Sequence, residues 1–216
     1  RILCHPPAFW AGIDAALSGM PMGRGTDALA PGMNPIPMNE QGPLSRSFGH
    51  AHVSEQERER RIRAVFEPVA PRYDMLNDLL SFGIHRLWKR RLVTLAAPTM
   101  AAPAPGQFIV DLAGGTGDVA ARLAAPGRQV TVIDPSEPMM QVGRARGLPH
   151  VGWKLGVAEQ LPLADASVDT ITIAFGIRNA THIDRALREA LRALKPGGRL
   201  LCLEFSTPAA WLRAPY

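Results

Sequence analysis

The chain has 216 residues, 46% of them hydrophobic and 20% charged, and carries a formal net charge of +5. This length allows one domain with a substantial core plus a tail, and no run of about eighteen apolar residues indicates a membrane span. Cys4 and Cys202 indicate neither a disulfide framework nor a zinc site, and the pair His50 and His52 is interpreted as loop. We therefore expect no metal and a reducing, cytoplasmic compartment.

Residues 1–46 are predicted to be disordered or to be an upstream extension, because they are rich in Pro, Gly and Met and lack sustained periodicity. Order is expected to begin at Ser54, which opens a capping box and a helix. In that helix Glu57 and Glu59 precede arginines by four residues, a pattern typical of a solvated helix face rather than a nucleic-acid interface. With a second helical region at about 75–95, residues 47–105 are predicted to form a helical cap and a linker.

Residues 106–216 are predicted to form a cofactor-binding α/β domain, because apolar strands alternate with helices. The predicted strands are 108–112, 129–133, 151–155, 169–175 and 199–205, and the predicted helices are 118–125, 137–146 and 184–194. Near-continuously apolar strands separated by helices indicate a Rossmann-like, doubly wound parallel sheet covered on both faces.

The most informative segment is VDLAGGTGD, residues 110–118, an apolar strand that ends in a carboxylate and turns through three glycines towards a helix. Glycines let the backbone pass close to a ligand, and the helix directs its unsatisfied N–H groups at that ligand. Asp134 ends the next strand 23 residues after Asp111, about where an acid reaches a ribose diol in nucleoside-binding α/β folds. The pattern predicts an adenosine-containing cofactor, held by Asp111, Gly114, Gly115, Gly117 and Asp134.

Three interpretations of this turn are open. The run GTGDVA satisfies the dinucleotide pattern G-x-G-x-x-G/A, and a glycine turn can also serve strand–helix packing alone. A pyrophosphate would lie near Asp111 and Asp118, where like charge is unfavourable, whereas the ammonium and sulfonium groups of S-adenosylmethionine suit an acidic loop. The acids therefore favour the methyl donor.

The order of these segments resembles the class I methyltransferase fold. Two signatures, YDMLNDLLSFGIHRLWKRRLV (73–93) and FGIRNATHIDRALREALRALKPGGRLLCLEFS (175–206), look like those of the family that C-methylates ubiquinone and menaquinone precursors, and the likeness covers about 47–208. The resemblance implies that S-adenosylmethionine contacts Thr116, Asp134, Val157, Ala158 and Ala174. Many members have Asn or Asp where Val157 stands and Ser where Ala174 stands, so we expect weakened cofactor binding here.

The resemblance further implies C-methylation of a polyprenyl quinol, either demethylmenaquinol or 2-methoxy-6-polyprenyl-1,4-benzoquinol or both. A phenolic hydroxyl has a pKa of about 10, so the enzyme must supply a base, a positive charge near the forming oxyanion, or both. It needs no covalent nucleophile and no metal. The candidates are Arg178 as oxyanion stabiliser, His85 as proton acceptor and Tyr73 in the catalytic set, with Asn77 and Asn179 binding substrate.

These assignments have structural alternatives. Arg178 could pair with Asp184 or Glu189, Asp74 could line the pocket or cap its helix, and His85 could be a packing residue. The rival functions are methylation of another small molecule and a catalytically inactive fragment that only binds a nucleotide-type cofactor. The second rival arises because the family continues beyond LEFS with further strands, so either the chain is a fragment or its sheet has a shortened edge.

The basic run HRLWKRR (85–91) has two interpretations. A polyprenylated quinol lives in the bilayer, so Trp88 with Arg86, Lys89, Arg90 and Arg91 could form a docking patch on anionic lipid at the inner face of the membrane. The alternative is a helix with one buried tryptophan and a solvated basic face. A homodimer or a biosynthetic complex is also expected, and nucleic acid is not.

Overall fold

The computed structural model describes residues 47–48, 51–97 and 106–204. Residues 1–46, which are predicted to be disordered or an upstream extension, lie outside the described residues, as do residues 98–105 of the predicted linker and residues 205–216.

The chain folds into a small hairpin, a helical segment and an alternating α/β segment. The hairpin pairs β1 (Ser47–Phe48) with β2 (Ala51–His52), and the helical segment contains α1 (Glu55–Phe66), a 3-10 turn (Ala70–Arg72), α2 (Tyr73–Leu80) and α3 (Ile84–Ala96). The α/β segment contains β3 (Gln107–Leu112), α4 (Asp118–Leu123), β4 (Arg128–Asp134), α5 (Glu137–Arg144), β5 (Val151–Leu155), β6 (Val168–Ala174), a second 3-10 turn (Ile177–Asn179), α6 (Ile183–Ala193) and β7 (Leu194–Leu203).

The five long strands form one parallel sheet in the order β5-β4-β3-β6-β7. Strand β3 lies at the centre, and the chain leaves it towards β4 on one side and reaches β6 on the other. This reversal of strand order opens a crevice beyond the carboxyl ends of β3, β4 and β6, where ligands bind in such sheets. The predicted doubly wound parallel sheet is confirmed.

Two apolar layers bury the sheet, as its near-continuously apolar strands require. On one face α6 packs its alanines and Leu187 against β3 and β6. On the other face, Leu92, Val93 and Ala96 of α3 pack with Val119 and Leu123 of α4. The carboxyl half of α3 therefore belongs to the helical layer of the sheet, while its amino half and α1 and α2 lie over the strand ends.

Two boundaries differ from the sequence prediction. The helical region expected over 75–95 is two helices, because Phe82 (φ 49) and Gly83 (φ 73) adopt left-handed backbone conformations that end α2. The last strand begins at Leu194 rather than 199, since the chain after α6 extends at once and pairs with Val168 across an irregularity in the register.

Trp153 on β5 packs against two glycines, one in α5 and one at the start of α4. A Cβ built on Gly143 would lie 2.0 Å from Trp153 Cη2 and 2.7 Å from the Thr116 carbonyl oxygen, and one on Gly117 would lie 2.6 Å from the same indole carbon. The Trp153 ring contacts the backbone at both glycines and leaves no room for a side chain at either position. The ring of β5 therefore fixes the distance between α5 and the glycine turn.

We predict that Gly143→Ala lowers the free energy of unfolding by about 1–3 kcal/mol, the usual cost of overpacking, although alanine is favoured over glycine in a helix by about 1 kcal/mol. The cost should shrink in a Trp153→Leu background, which removes the clashing ring, and Gln141→Ala on the exposed side of α5 is the control. Urea unfolding of the four combinations measures the coupling. An equal cost in both backgrounds would contradict this packing.

Candidate active site

A cavity of about 750 Å³ lies in the crevice, between the carboxyl ends of the strands and the helices α1, α2 and α3. A smaller cavity of about 100 Å³ adjoins it, lined by Val157 and Ala158 and sharing Ala113, Pro135 and Gly176 with the larger one. Such an arrangement offers a long ligand one apolar end compartment and one larger, more polar chamber. The chain thus brings residues from both sequence signatures and from the glycine turn to one place.

The glycine turn forms the floor of the larger cavity. Gly115 has φ 54, which lets its N–H donate to Asp134 Oδ2 at 2.8 Å. A Cβ on Gly114 would lie 2.7 Å from Asp111 Oδ2, so only glycine fits above that carboxylate. The turn is therefore held between the two acids that end β3 and β4.

Asp134 is buried, and both of its oxygens accept backbone hydrogen bonds, from Gly115 N–H and from Ser136 N–H, each at 2.8 Å. Burial raises the pKa of this carboxyl, and the two N–H donors oppose that shift. The fixed carboxylate faces the cavity next to the turn. It is placed to accept hydrogen bonds from a vicinal diol.

Asp111 is more deeply enclosed than Asp134. Its Oδ1 accepts from Thr172 Oγ1 at 2.8 Å and its Oδ2 accepts from Ala120 N–H at 3.2 Å. Burial raises the pKa of Asp111 to about 7, opposed by the Thr172 hydrogen bond and the charge of Lys89. These contacts join β3, β6 and α4, so Asp111 supports the glycine turn from below.

Lys89 is buried, contrary to its expected place in an exposed docking patch. Its Nζ donates to Asp118 Oδ2 at 2.9 Å, and both residues line the cavity. Burial alone would raise the pKa of Asp118, but the neighbouring charges of Lys89 and Arg122 lower it. A charge that is removed from water needs a partner, and Asp118 is the partner of Lys89. Because Lys89 belongs to α3 and Asp118 to the first turn of α4, the ion pair joins the two helices.

Asp74 does not cap α2, whose amino end has no side-chain cap. Instead its two oxygens accept from Thr116 Oγ1, each at 3.1 Å, and one also pairs with Arg146. Helix α2 is thereby hydrogen-bonded to the side chain of Thr116 in the glycine turn.

The predicted catalytic and substrate residues all line the larger cavity: Tyr73, Asn77, His85, Arg178 and Asn179. His85 Nδ1 lies 2.5 Å from Ser81 Oγ, and its Nε2 lies 3.6 Å from Asp78 Oδ1. Burial, followed by the charge of Lys89, lowers the pKa of His85 below its usual value, so the ring is neutral at pH 7.

Arg178 pairs with Glu204, whose Oε1 lies 2.9 Å from its Nη2. The alternative partners expected from sequence are engaged elsewhere, Asp184 with Arg188 and Glu189 with Arg192. Glu204 directly follows β7, so the guanidinium is held between the ends of β6 and β7.

The residues expected to contact the adenosine part of the cofactor line one or other of the two cavities. Val157 is exposed at its rim beside Ala158, and Ala174 lines the larger cavity at the end of β6. Thr116 is buried against Asp74. The candidate cofactor positions therefore border one of the two joined cavities, with the exception of Gly117. Gly117 packs against the ring of Trp153 instead, so its predicted contact with the cofactor is corrected to a packing role.

Arg58 supports the backbone of two residues that line the cavity, a role that sequence reasoning missed. The charge pattern of its helix predicts a solvated face, yet Arg58 is buried and donates to the carbonyl oxygens of Arg178 at 2.9 Å and Asn179 at 3.1 Å. Its position four residues before Ile62 places it on the apolar stripe of α1, which was the available signal.

A five-stranded parallel sheet in this order, with a glycine turn after its central strand and a buried acid after the next, defines the core of a class I methyltransferase. Among solved structures, a chain from the complex of the Haloferax volcanii Trm112 methyltransferase activator with a methyltransferase is similar, with 26% identity and a TM-score of 0.52, covering 63% of this chain and 58% of that one. The model of the ubiE/COQ5 methyltransferase family matches residues 54–216, and the chain belongs to that family.

Curated relatives agree with this assignment. The ubiquinone/menaquinone biosynthesis C-methyltransferase UbiE of Rubrivivax gelatinosus is 71% identical over 83% of this chain and 69% of its own length. The protein of the same description from Acidiphilium cryptum is 49% identical, over 74% of this chain and 64% of its own length. The chain thus spans about two thirds of the length of the relatives it matches. The resemblance noted from the two signatures is confirmed.

We predict that Asp111→Asn flattens the pH dependence of stability between pH 4 and 8. The folded carboxyl has a pKa of about 7 against an ordinary value of 3.8, so the stabilising contribution is complete below about pH 4 and is lost as pH rises through 7. Melting temperatures of variant and parent, compared across this range, isolate Asp111 because His85 titrates in both. Parallel curves would contradict the raised pKa, and Asp184→Asn on an exposed carboxylate is the control.

We predict that Arg58→Gln destabilises the fold by about 2–4 kcal/mol, because two hydrogen bonds from a buried charged donor are lost. The matched control is Arg60→Gln, two residues along the same helix and exposed, with an expected change below about 0.5 kcal/mol. Denaturant unfolding measures both variants. Equal effects would show that the bonds of Arg58 to the backbone at 178–179 are energetically unimportant.

Proposed function

We propose that this chain binds S-adenosylmethionine and methylates a ring carbon of a polyprenyl quinol, demethylmenaquinol and/or 2-methoxy-6-polyprenyl-1,4-benzoquinol. The observation that carries the proposal is the joining of two sites in one cavity: the glycine turn with Asp134, and a polar wall that includes His85, Arg178 and Asn179. Membership of the ubiE/COQ5 family and the descriptions of the relatives support the same activity.

The residues present suit a cationic adenosine cofactor better than a dinucleotide. The apolar compartment at Val157 and Ala158 suits a flat purine, and Asp134 suits the ribose diol. Carboxyl groups of Asp134 and Asp118 lie beside the turn, which disfavours a pyrophosphate and favours a group that carries ammonium and sulfonium charges, while Lys89 balances part of the charge of Asp118. When bound, S-adenosylmethionine supplies an electrophilic methyl group.

His85 and Arg178 have complementary parts in activating the ring. Because Ser81 Oγ donates to the Asn77 carbonyl oxygen, Nδ1 of the neutral His85 donates to Ser81 Oγ. Nε2 is then the nitrogen that can accept a proton from a quinol hydroxyl. The guanidinium of Arg178 places a positive charge at the rim, where negative charge develops on the ring oxygen. Glu204 keeps the guanidinium in position.

The remaining walls orient the ring and exclude water. Tyr73, Asn77 and Asn179 provide hydrogen-bonding groups for the hydroxyls of the quinol. Trp88 and Phe175 also line the cavity, and the centroids of their aromatic rings lie 6.3 Å apart. Placing the reacting carbon in such an enclosed geometry contributes to the rate without any covalent step.

The substrate tail sets where the enzyme works. A polyprenyl chain partitions into the bilayer, so we place the enzyme at the inner surface of the membrane. Within the described residues no helix is both long and apolar enough to cross a membrane. A homodimer or a biosynthetic complex stays a prediction.

Turnover tests the proposed function. The chain is incubated with S-adenosylmethionine and a short-tailed demethylmenaquinol kept reduced, and mass spectrometry follows the methylated product. We predict that Arg178→Met lowers kcat by about 100-fold, as when one oxyanion donor is lost, that His85→Gln lowers kcat at pH 7, and that Arg185→Met on the exposed face of α6 leaves it unchanged. The Rubrivivax relative serves as the positive control. Absence of product from this chain beside an active relative would refute the proposal.

A further inference from the structure

The corner between α2 and α3 presents large apolar side chains to solvent. Phe82 is 91% exposed, Leu79 69%, Leu87 60% and Met75 58%. We call these four residues, which belong to the helical hairpin formed by α2 and α3, the hairpin tip. Single exposed apolar residues are ordinary on a protein surface, whereas several large ones within the single segment 75–87 indicate an interaction site.

The backbone holds the tip in this position at a cost. Phe82 has φ 49, a strained conformation that bulky residues rarely adopt. The turn is fixed by Ser81 Oγ donating to the Asn77 carbonyl oxygen at 2.7 Å and by Gly83 N–H donating to the Asp78 carbonyl oxygen at 2.9 Å. The ring is thus displayed outward by a well-bonded turn.

Positive charge lies beside the tip. Arg90 and Arg91 are exposed and form no ion pair among the described residues, while Arg86 is paired with Asp78. They follow Leu87 by three and four residues, so the three side chains share one side of α3. An apolar insertion surface bordered by cations matches an anionic bilayer, with its acyl interior below charged headgroups.

The tip also adjoins the mouth of the larger cavity. Phe82, Ile84 and Trp88 line that cavity and are all partly or largely exposed. An apolar path therefore leads from the surface of the tip into the chamber that holds the proposed catalytic groups.

We propose that the hairpin tip inserts into the headgroup region of an anionic membrane, with Arg90 and Arg91 on the headgroups, and that an isoprenoid tail passes between bilayer and cavity along Phe82, Ile84 and Trp88. The use of this path rests on the proposed function, whereas the insertion itself does not. This surface replaces the docking patch expected from sequence, because Lys89 of that patch faces the protein interior.

Vesicle flotation tests the insertion. The chain should float with vesicles of mixed phosphatidylglycerol and phosphatidylcholine, and binding should weaken with salt and with pure phosphatidylcholine. The double variant Leu79→Ser/Leu87→Ser and the double variant Arg90→Gln/Arg91→Gln should each lower the partition coefficient at least tenfold. Matched controls are Leu191→Ser, which removes a leucine 55% exposed on α6, and Arg185→Gln, which removes an exposed arginine on the same helix.

Equal losses in tip variants and controls, or no flotation of the parent, would overturn the proposal. A second copy of the chain could cover the hairpin tip instead of a membrane, and sedimentation tests for that dimer. A dimer that Leu79→Ser/Leu87→Ser dissociates, in a chain that does not bind vesicles, would assign the tip to self-association and would also overturn the membrane proposal.

Two further measurements separate this proposal from the proposed function. The Leu79→Ser/Leu87→Ser variant should keep the parent's affinity for S-adenosylhomocysteine and its turnover of a tailless, water-soluble quinol, and should lose at least fivefold in turnover of a long-tailed quinol in vesicles. If the parent chain floats with vesicles but methylates neither quinol, the methyl-transfer proposal is refuted and the insertion proposal is supported. Equal turnover of vesicle-borne substrate by parent and variant would refute the tail path.

Discussion

The glycine turn after β3 is clamped between two buried carboxylates, and the rest of the site depends on that clamp. Asp111 binds Thr172 of β6 and the backbone of α4 from below, while Asp134 receives the Gly115 N–H from the side of β4. Each acid is costly to bury alone and is stabilised by donors that only this arrangement of strands provides. The turn consequently lies at the point where the strand order reverses, with its backbone facing the cavity.

The helical segment is connected to this centre by polar contacts placed at the cavity wall. Lys89 reaches Asp118, Asp74 reaches Thr116, and Arg58 reaches the backbone at Arg178 and Asn179. Because each contact ends on or next to a residue that lines the cavity, the position of the helices and the geometry of the site are set together. Substitutions in α1 or α3 should therefore alter the site without contacting a ligand.

The strands, the glycine turn and the positions of Asp111 and Asp134 at the ends of neighbouring strands could be predicted from sequence, because each follows from a local pattern of apolar residues and turn residues. The burial of Arg58 and Lys89 could not, since a charge on a helix indicates solvent until its partner is known, and those partners lie 120 and 29 residues away. The pairing of Arg178 with Glu204 was missed for the same reason. The break at Phe82 lacks a proline signal, and the strand start at Leu194 depends on tertiary pairing with β6.

Equilibrium binding of S-adenosylhomocysteine to this chain, measured by calorimetry with NADH titrated in parallel, tests the central claim most directly. The clamped turn, the acid at Asp134 and the acidic wall predict micromolar binding of S-adenosylhomocysteine and none of NADH. Binding of NADH alone would contradict the account of the cofactor. Binding of neither would show that the cavity formed by residues 51–97 and 106–204 is insufficient to bind the cofactor.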